Sequence, residues 1–94
     1  MRVIVLSGQY KKDLKLARKR NLPEDELNKV VFNLANDIPL PPDNKDHALS
    51  GNLAGFRECH IQPDWLLIYS KEDSGELHIL NLVLTGSHSD LFKK

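Results

Sequence analysis

Apolar residues open the chain as a block and then settle into a helical rhythm. Arg2 to Leu6 (RVIVL) is a β-branched apolar run of strand length, closed by Ser7-Gly8, and it predicts a first strand. From Gln9 to Arg20 the apolar positions Tyr10, Leu14 and Ala17 recur at spacings of four and three among lysines and arginines, which predicts an amphipathic helix that Asn21 can stop. Pro23, followed by Glu24, Asp25 and Glu26, reads as a fresh helix start, because proline suits a first turn and carboxylates suit the positive end of the helix dipole. Leu27, Val30, Val31, Leu34 and Ile38 make one stripe on this second helix. It must end near Pro39, since Pro39, Pro41 and Pro42 cannot donate backbone hydrogen bonds. The two helices are expected to lie antiparallel.

Residues 39–55 hold three prolines and two glycines among polar residues and read as a loop, with His47 in its middle. Phe56–Ile61, Trp65–Ser70 and Leu77–Leu84 are strand-like runs separated by Gln62-Pro63-Asp64 and by Glu72-Asp73-Ser74-Gly75, so they predict consecutive antiparallel strands. The tail from Thr85 to Lys94 begins with a break and can close as one turn of helix anchored by Leu91 and Phe92. The order strand, two helices, three strands predicts one α+β domain spanning residues 1–94, with the helix pair on one face of an antiparallel sheet. The other face is expected to stay open, with the His47 loop, the Asp64 turn and the His88 tail at its rim.

Composition narrows the setting. At 94 residues there is room for one core, and 40% hydrophobic with 28% charged residues is the balance of an ordinary globular protein. Cys59 is the single cysteine, which rules out an intramolecular disulfide and a cysteine-built zinc knuckle. The apolar start is too short for a secretory or membrane-spanning segment, so a cytoplasmic protein with no membrane contact is expected. Thirteen Lys and Arg balance thirteen Asp and Glu, unlike a strongly basic nucleic-acid binder. Yet Lys11, Lys12, Lys15, Arg18, Lys19 and Arg20 share ten residues with one anion, Asp13, so a basic face survives the overall neutrality.

The chemistry on offer is imidazole chemistry. His78, between Leu77 and Ile79-Leu80, reads as an ordinary sheet histidine. His47, His60 and His88 sit in or beside loops and turns, where surface and chemical roles both remain open. Zinc is not expected, because the chain has no HExxH or CxxC spacing, and His60 and Asp64 straddle a proline turn. Metal-free cleavage of RNA fits better: one group takes the 2′-hydroxyl proton, another protonates the departing 5′-oxygen, and imidazoles suit both. Asp64 can orient a histidine, Lys45 and Arg57 can meet phosphate, and Trp65, Tyr69 or Phe92 can stack a base, Trp65 and Tyr69 being core candidates as well. Glu58 alternates with His60 and shares its face, as a further acid–base candidate or as a solvated strand residue. Cys59 faces the other way with Arg57 and Ile61 and reads as a buried structural thiol.

Three ordered motifs carry a more specific reading: Lys45-Asp46-His47-Ala48-Leu49, then Gly55 through His60-Ile61-Gln62-Pro63-Asp64-Trp65 to Tyr69, then Thr85-Gly86-Ser87-His88-Ser89-Asp90-Leu91-Phe92. Together they resemble the YafQ branch of the RelE/ParE toxin superfamily, and the resemblance extends over nearly the whole chain. It implies a RelE-like fold and a bacterial type II toxin that cuts messenger RNA in the ribosomal A site without a cofactor, leaving 2′,3′-cyclic or 3′-phosphate and 5′-hydroxyl ends. It carries His47, His60, Asp64, His88 and Phe92 over as site residues, with His47 and His88 nearest the proton transfers and His60 with Asp64 beside the phosphate. The implied partners are mRNA and the ribosome, plus a cognate antitoxin of ribbon-helix-helix type encoded alongside, with operator DNA reached only through the antitoxin complex. The chain departs from basic, ribosome-acting relatives in its neutrality. The alternatives are a ParE-like toxin that holds DNA gyrase without cutting RNA, and a catalytically silent module that only pairs with an antitoxin.

Overall fold

Ser7 turns the first strand, β1 (Val3–Leu6), into the first helix, α1 (Gly8–Lys19). Its hydroxyl oxygen accepts the Tyr10 amide at 2.9 Å as an N-cap and donates to the Val83 carbonyl at 2.6 Å, tying the helix start to the sheet. The structure, a computed structural model, describes residues 1–92. At the far end of α1, Asn21 takes the left-handed conformation (φ 58°), and the Leu22 and Asn21 amides return to the Ala17 and Arg18 carbonyls, a Schellman ending. The second helix, α2 (Glu24–Ala35), ends the same way: Asp37 is left-handed (φ 56°), and the Ile38 and Asp37 amides donate to the Asn33 and Leu34 carbonyls. This helix therefore stops short of the Pro39 boundary that the prolines alone set, because a C-terminal motif two residues earlier already satisfies its last carbonyls.

The expected three antiparallel strands are the middle of a larger sheet. A two-residue strand, β2 (His47–Ala48), precedes β3 (Arg57–Gln62), β4 (Trp65–Ser74) and β5 (Leu77–Gly86), and the spatial order is β1-β5-β4-β3-β2. β1 joins β5 in parallel, with Val3 opposite Ile79 and Leu6 opposite Leu82, while the remaining pairs are antiparallel. The sheet is thus mixed and five-stranded. The loop reading of residues 39–55 missed β2 because two residues carry no periodicity; 3₁₀ turns at Pro42–Asn44 and Gly51–Leu53 fill the rest of that segment. Thr85 and Gly86, read as a break, are the last residues of β5, and the tail closes as α3 (His88–Leu91). Lys93 and Lys94 of the predicted tail lie outside the described residues.

Alternation sorts the strands into two faces. Cys59, Ile61, Trp65, Leu67, Tyr69, Leu80 and Leu82 join Tyr10 and Ala17 of α1 and Leu27, Val30, Leu34 and Ala35 of α2 in one buried cluster. The face away from the helices is less bare than expected: Leu66, Ile68 and Glu58 are buried there. α3 lies over its Gly86 corner, where a Cβ on Gly86 would come within 3.0 Å of Asp90 and 3.4 Å of Leu91. Val3 and Val5 of β1 stay exposed on that face, and His47, His60 and His88 stand on its rim.

Candidate active site

Each histidine reaches the rim from a different element. β2 pairs antiparallel with β3 so that His47 stands directly opposite Glu58, which brings a residue expected in mid-loop onto the sheet edge. His60 follows Glu58 by two positions and shares its face. The β3–β4 hairpin puts Asp64 at its tip, and Ser87 opens α3 so that His88 is its first residue, facing that tip.

Two carboxylates organise the imidazoles. Asp64 Oδ1 accepts both the His88 backbone amide, at 3.1 Å, and His88 Nδ1–H, at 2.8 Å. A carboxylate accepting at Nδ1 leaves Nε2 of His88 free to face a reactant. The same contacts, the ring first and then the backbone amide, hold the Asp64 carboxyl below the usual carboxylate range. Glu58 is the second organiser, its side chain only 8% exposed, with Oε1 3.5 Å from His47 Nε2 and 3.8 Å from His60 Nε2. His47 Nδ1 is 2.7 Å from the Lys45 carbonyl, which can only accept, so Nδ1 carries a hydrogen. That leaves Nε2 as the ring nitrogen that faces Glu58. His47 and His60 thus both face the one buried carboxyl group of Glu58.

The two groups meet. The His60 and His88 ring centroids are 5.8 Å apart in an edge-to-face arrangement, and Phe92 lies 6.5 Å beyond His88, half-exposed. An open recess of about 480 Å³, lined by Asn44, Lys45, His60, Gln62 and Pro63 among others, adjoins His60, and Asn44 donates to the His60 carbonyl at 2.6 Å to fix that wall. Its size suits a nucleotide-scale group. Among the described residues, no group of three or more His, Cys, Asp or Glu is placed to hold a metal ion.

The structure thus brings together His47, His60, Asp64, His88 and Phe92, with exposed Lys45 at the recess. Three sequence candidates fall elsewhere. Trp65 is 1% exposed on the helix side, its indole N–H donating to the buried Thr85 hydroxyl at 2.9 Å, so it is a core residue and cannot stack a base. Arg57 lies on the helix side too, opposite Tyr69 in the β3–β4 register, and its guanidinium is engaged by Tyr69 and by Asp46, with Arg57 Nε 3.4 Å from Asp46 Oδ1. The period of two that puts His60 on the rim sends Arg57 to the other face. Tyr69 is buried, its hydroxyl donating to Asp46 at 2.6 Å, and burial pushes the Cys59 thiol up to about 12, which disables it as a nucleophile near neutrality. Glu58 is the residue the sequence underrated. Its signal was the alternation with His60; its burial needed the pairing with β2.

The YafQ family profile, described as a bacterial toxin of type II toxin-antitoxin systems, matches residues 2–93. The chain belongs to the YafQ toxin family. Among its relatives is the mRNA interferase toxin YafQ of Escherichia coli strain K12, 44% identical over 92 residues that cover 97% of this chain and 96% of that one. The crystal structure of the E. coli DinJ-YafQ toxin-antitoxin complex contains a chain that superposes with a TM-score of 0.83 at 43% identity, covering 97% of each chain. A metal-bound toxin from Helicobacter pylori superposes at 0.87 with 47% identity, covering 98% of this chain and 100% of that one. The α+β fold is therefore that of the YafQ toxins, and among the described residues no helix is long and apolar enough to cross a membrane.

Proposed function

We propose that this YafQ-family toxin is an endoribonuclease that cuts translated mRNA on the ribosome by metal-independent acid–base catalysis, and that a cognate antitoxin silences it. The observation that carries the proposal is the meeting of the Asp64-held His88 with His60, part of the group that shares Glu58. In the reaction the 2′-oxygen attacks the adjacent phosphorus as its proton passes to the imidazoles around Glu58. The bond from phosphorus to the 5′-oxygen breaks, and His88 delivers a proton to that oxygen, leaving a 2′,3′-cyclic phosphate and a 5′-hydroxyl. Asp64 orients His88 through Nδ1, and the buried Glu58 faces the imidazoles that take the proton. Lys45 contacts the phosphate, and Phe92 stacks a base beside His88.

Lys11, Lys12, Lys15 and Lys19 are exposed on one arc of α1, whereas Arg18 is paired with Glu24 and Arg20 with Asp90. The lysine arc is the surface we assign to ribosomal RNA, a local basic face on a neutral protein. The antitoxin, of ribbon-helix-helix type, links the toxin to operator DNA, and the DinJ-YafQ complex of the relative supports that pairing.

The test is incubation of the purified toxin with translating ribosomes, with and without chelator, followed by chemical analysis of the message ends. Cut messages with 5′-hydroxyl and cyclic-phosphate ends, undiminished by chelator, are expected. Because a related toxin is metal-bound, the chelator arm bears directly on the acid–base reading. Intact messages together with inhibited DNA supercoiling would replace the proposal with gyrase inhibition.

A further inference from the structure

We infer that Arg20, the residue that caps the C-terminal end of α1 outside the histidine cluster, is a positioning residue for His88: it clamps Asp90, the side chain that closes the first turn of α3, and so holds the imidazole in place. The inference rests on the cleavage reading above, which gives His88 its task.

α3 is four residues long, too short to persist without support. Its support comes from two sides. In front, Asp64 grips the His88 ring and amide. Behind, Ser87 and Asp90 form a capping box: Ser87 Oγ accepts the Asp90 amide at 3.1 Å, and Asp90 Oδ2 accepts the Ser87 amide at 3.0 Å. Arg20 completes the rear grip with two contacts, Nη1 to Asp90 Oδ2 at 2.6 Å and Nη2 to Asp90 Oδ1 at 3.2 Å. A two-point arginine–carboxylate contact fixes direction as well as distance, which a single lysine contact cannot. The guanidinium first, and the Ser87 amide after it, hold the Asp90 carboxyl well below the usual carboxylate range.

α1 holds this corner at a second point. Asp13, two turns before Arg20, accepts the Thr85 backbone amide at 3.1 Å, and Thr85 is itself fixed by the Trp65 indole and the Leu66 carbonyl. Between these anchors Gly86 has no side chain to keep Asp90 away, since a Cβ there would stand 3.0 Å from the Asp90 Cβ and 3.1 Å from its carboxylate. The chain that leads into His88 is thus fastened to the sheet and to α1 on either side of Gly86. Removing Arg20 leaves the capping box but frees it to swing, and His88 with it.

Single-turnover cleavage at saturating RNA, measured for Arg20→Ala, Asp90→Ala and the double variant, reads the clamp. Each single change is expected to slow cleavage about tenfold to a hundredfold, the range for a small displacement of a reacting group caused from a distance. The double variant should be no slower than the slower single one, Arg20→Lys should recover part of the loss, and RNA affinity and its salt dependence should stay unchanged. A merely structural role would not move the hydrogen-bonded Nδ1 proton resonance of His88, which the clamp predicts to weaken or vanish in Arg20→Ala with the fold intact. Multiplying losses in the double variant, or weaker RNA binding at an unchanged saturating rate, would make Arg20 an RNA contact and overturn the inference. If the native toxin cuts no RNA, the resonance still decides: unchanged in Arg20→Ala, it overturns the clamp; lost, it upholds the positioning of His88 while the cleavage reading falls alone.

Discussion

Two histidine–aspartate pairs stand at opposite ends of the β4–β5 hairpin. Near the loop that joins the strands, His78 Nδ1 lies 2.6 Å from Asp73 Oδ1; at the other end, His88 Nδ1 lies 2.8 Å from Asp64 Oδ1. Both imidazoles are equally exposed. What separates them is their company. Asp73 also binds Arg2, which binds Asp37, which binds Lys71, so the His78 end is a network of opposite charges with no second imidazole in it. Asp64 serves His88 alone among the described ion pairs, and beyond His88 come His60, the buried Glu58 and His47. An oriented histidine is common in proteins; an oriented histidine beside a second proton-carrying group is what acid–base cleavage requires.

The largest effect should come from the His88–Asp64 pair. Replacing His88 by Ala is expected to slow single-turnover cleavage by about a hundredfold to ten-thousandfold, the usual yield of a general acid or base, with the thermal midpoint little changed. Glu58→Gln should come next. It keeps the shape but removes the shared charge, and we expect roughly a tenfold to hundredfold fall in the cleavage rate, with RNA affinity unchanged. An unaltered rate would reduce Glu58 to packing.

At the other end the expected signature is stability rather than rate. Lys71 and then Arg2 depress the Asp37 carboxyl to about 2, and Arg2 and then His78 lower Asp73. A carboxylate whose folded value lies below its unfolded one adds stability above the unfolded value, about 3.9, and loses it as pH falls toward the folded one. The urea midpoint of the native toxin should therefore drop between about pH 4 and pH 2, and Asp37→Asn should flatten that drop. The smallest effect belongs to His78→Ala, which should leave cleavage within about threefold of native, as expected for a surface change away from the site. A large loss there would erase the contrast between the two pairs.

Much of this was legible in the residue pattern. The spacing of Tyr10, Leu14 and Ala17 gave α1, and Asn21 supplied the left-handed stop that ends it. Period-two alternation put Glu58 and His60 on one face and Cys59 on the other. Three things were hidden, each because it depends on long-range pairing. His47 becomes a neighbour of Glu58 only when a two-residue strand adds to the sheet edge, Trp65 is withdrawn by a hydroxyl twenty positions away, and Asp90 meets its arginine seventy positions back along the chain. The parallel pairing of β1 with β5 is of the same kind. Local pattern names the candidates, and the topology decides which of them meet.

The pH dependence of single-turnover cleavage by the native toxin and by His88→Ala tests proton transfer at this rim most directly. A bell-shaped profile is expected for the native toxin, because one imidazole must start deprotonated and another protonated, and one limb should be lost in the variant. A native rate flat from about pH 5 to pH 9, or a variant that is slower but keeps both limbs, would contradict it.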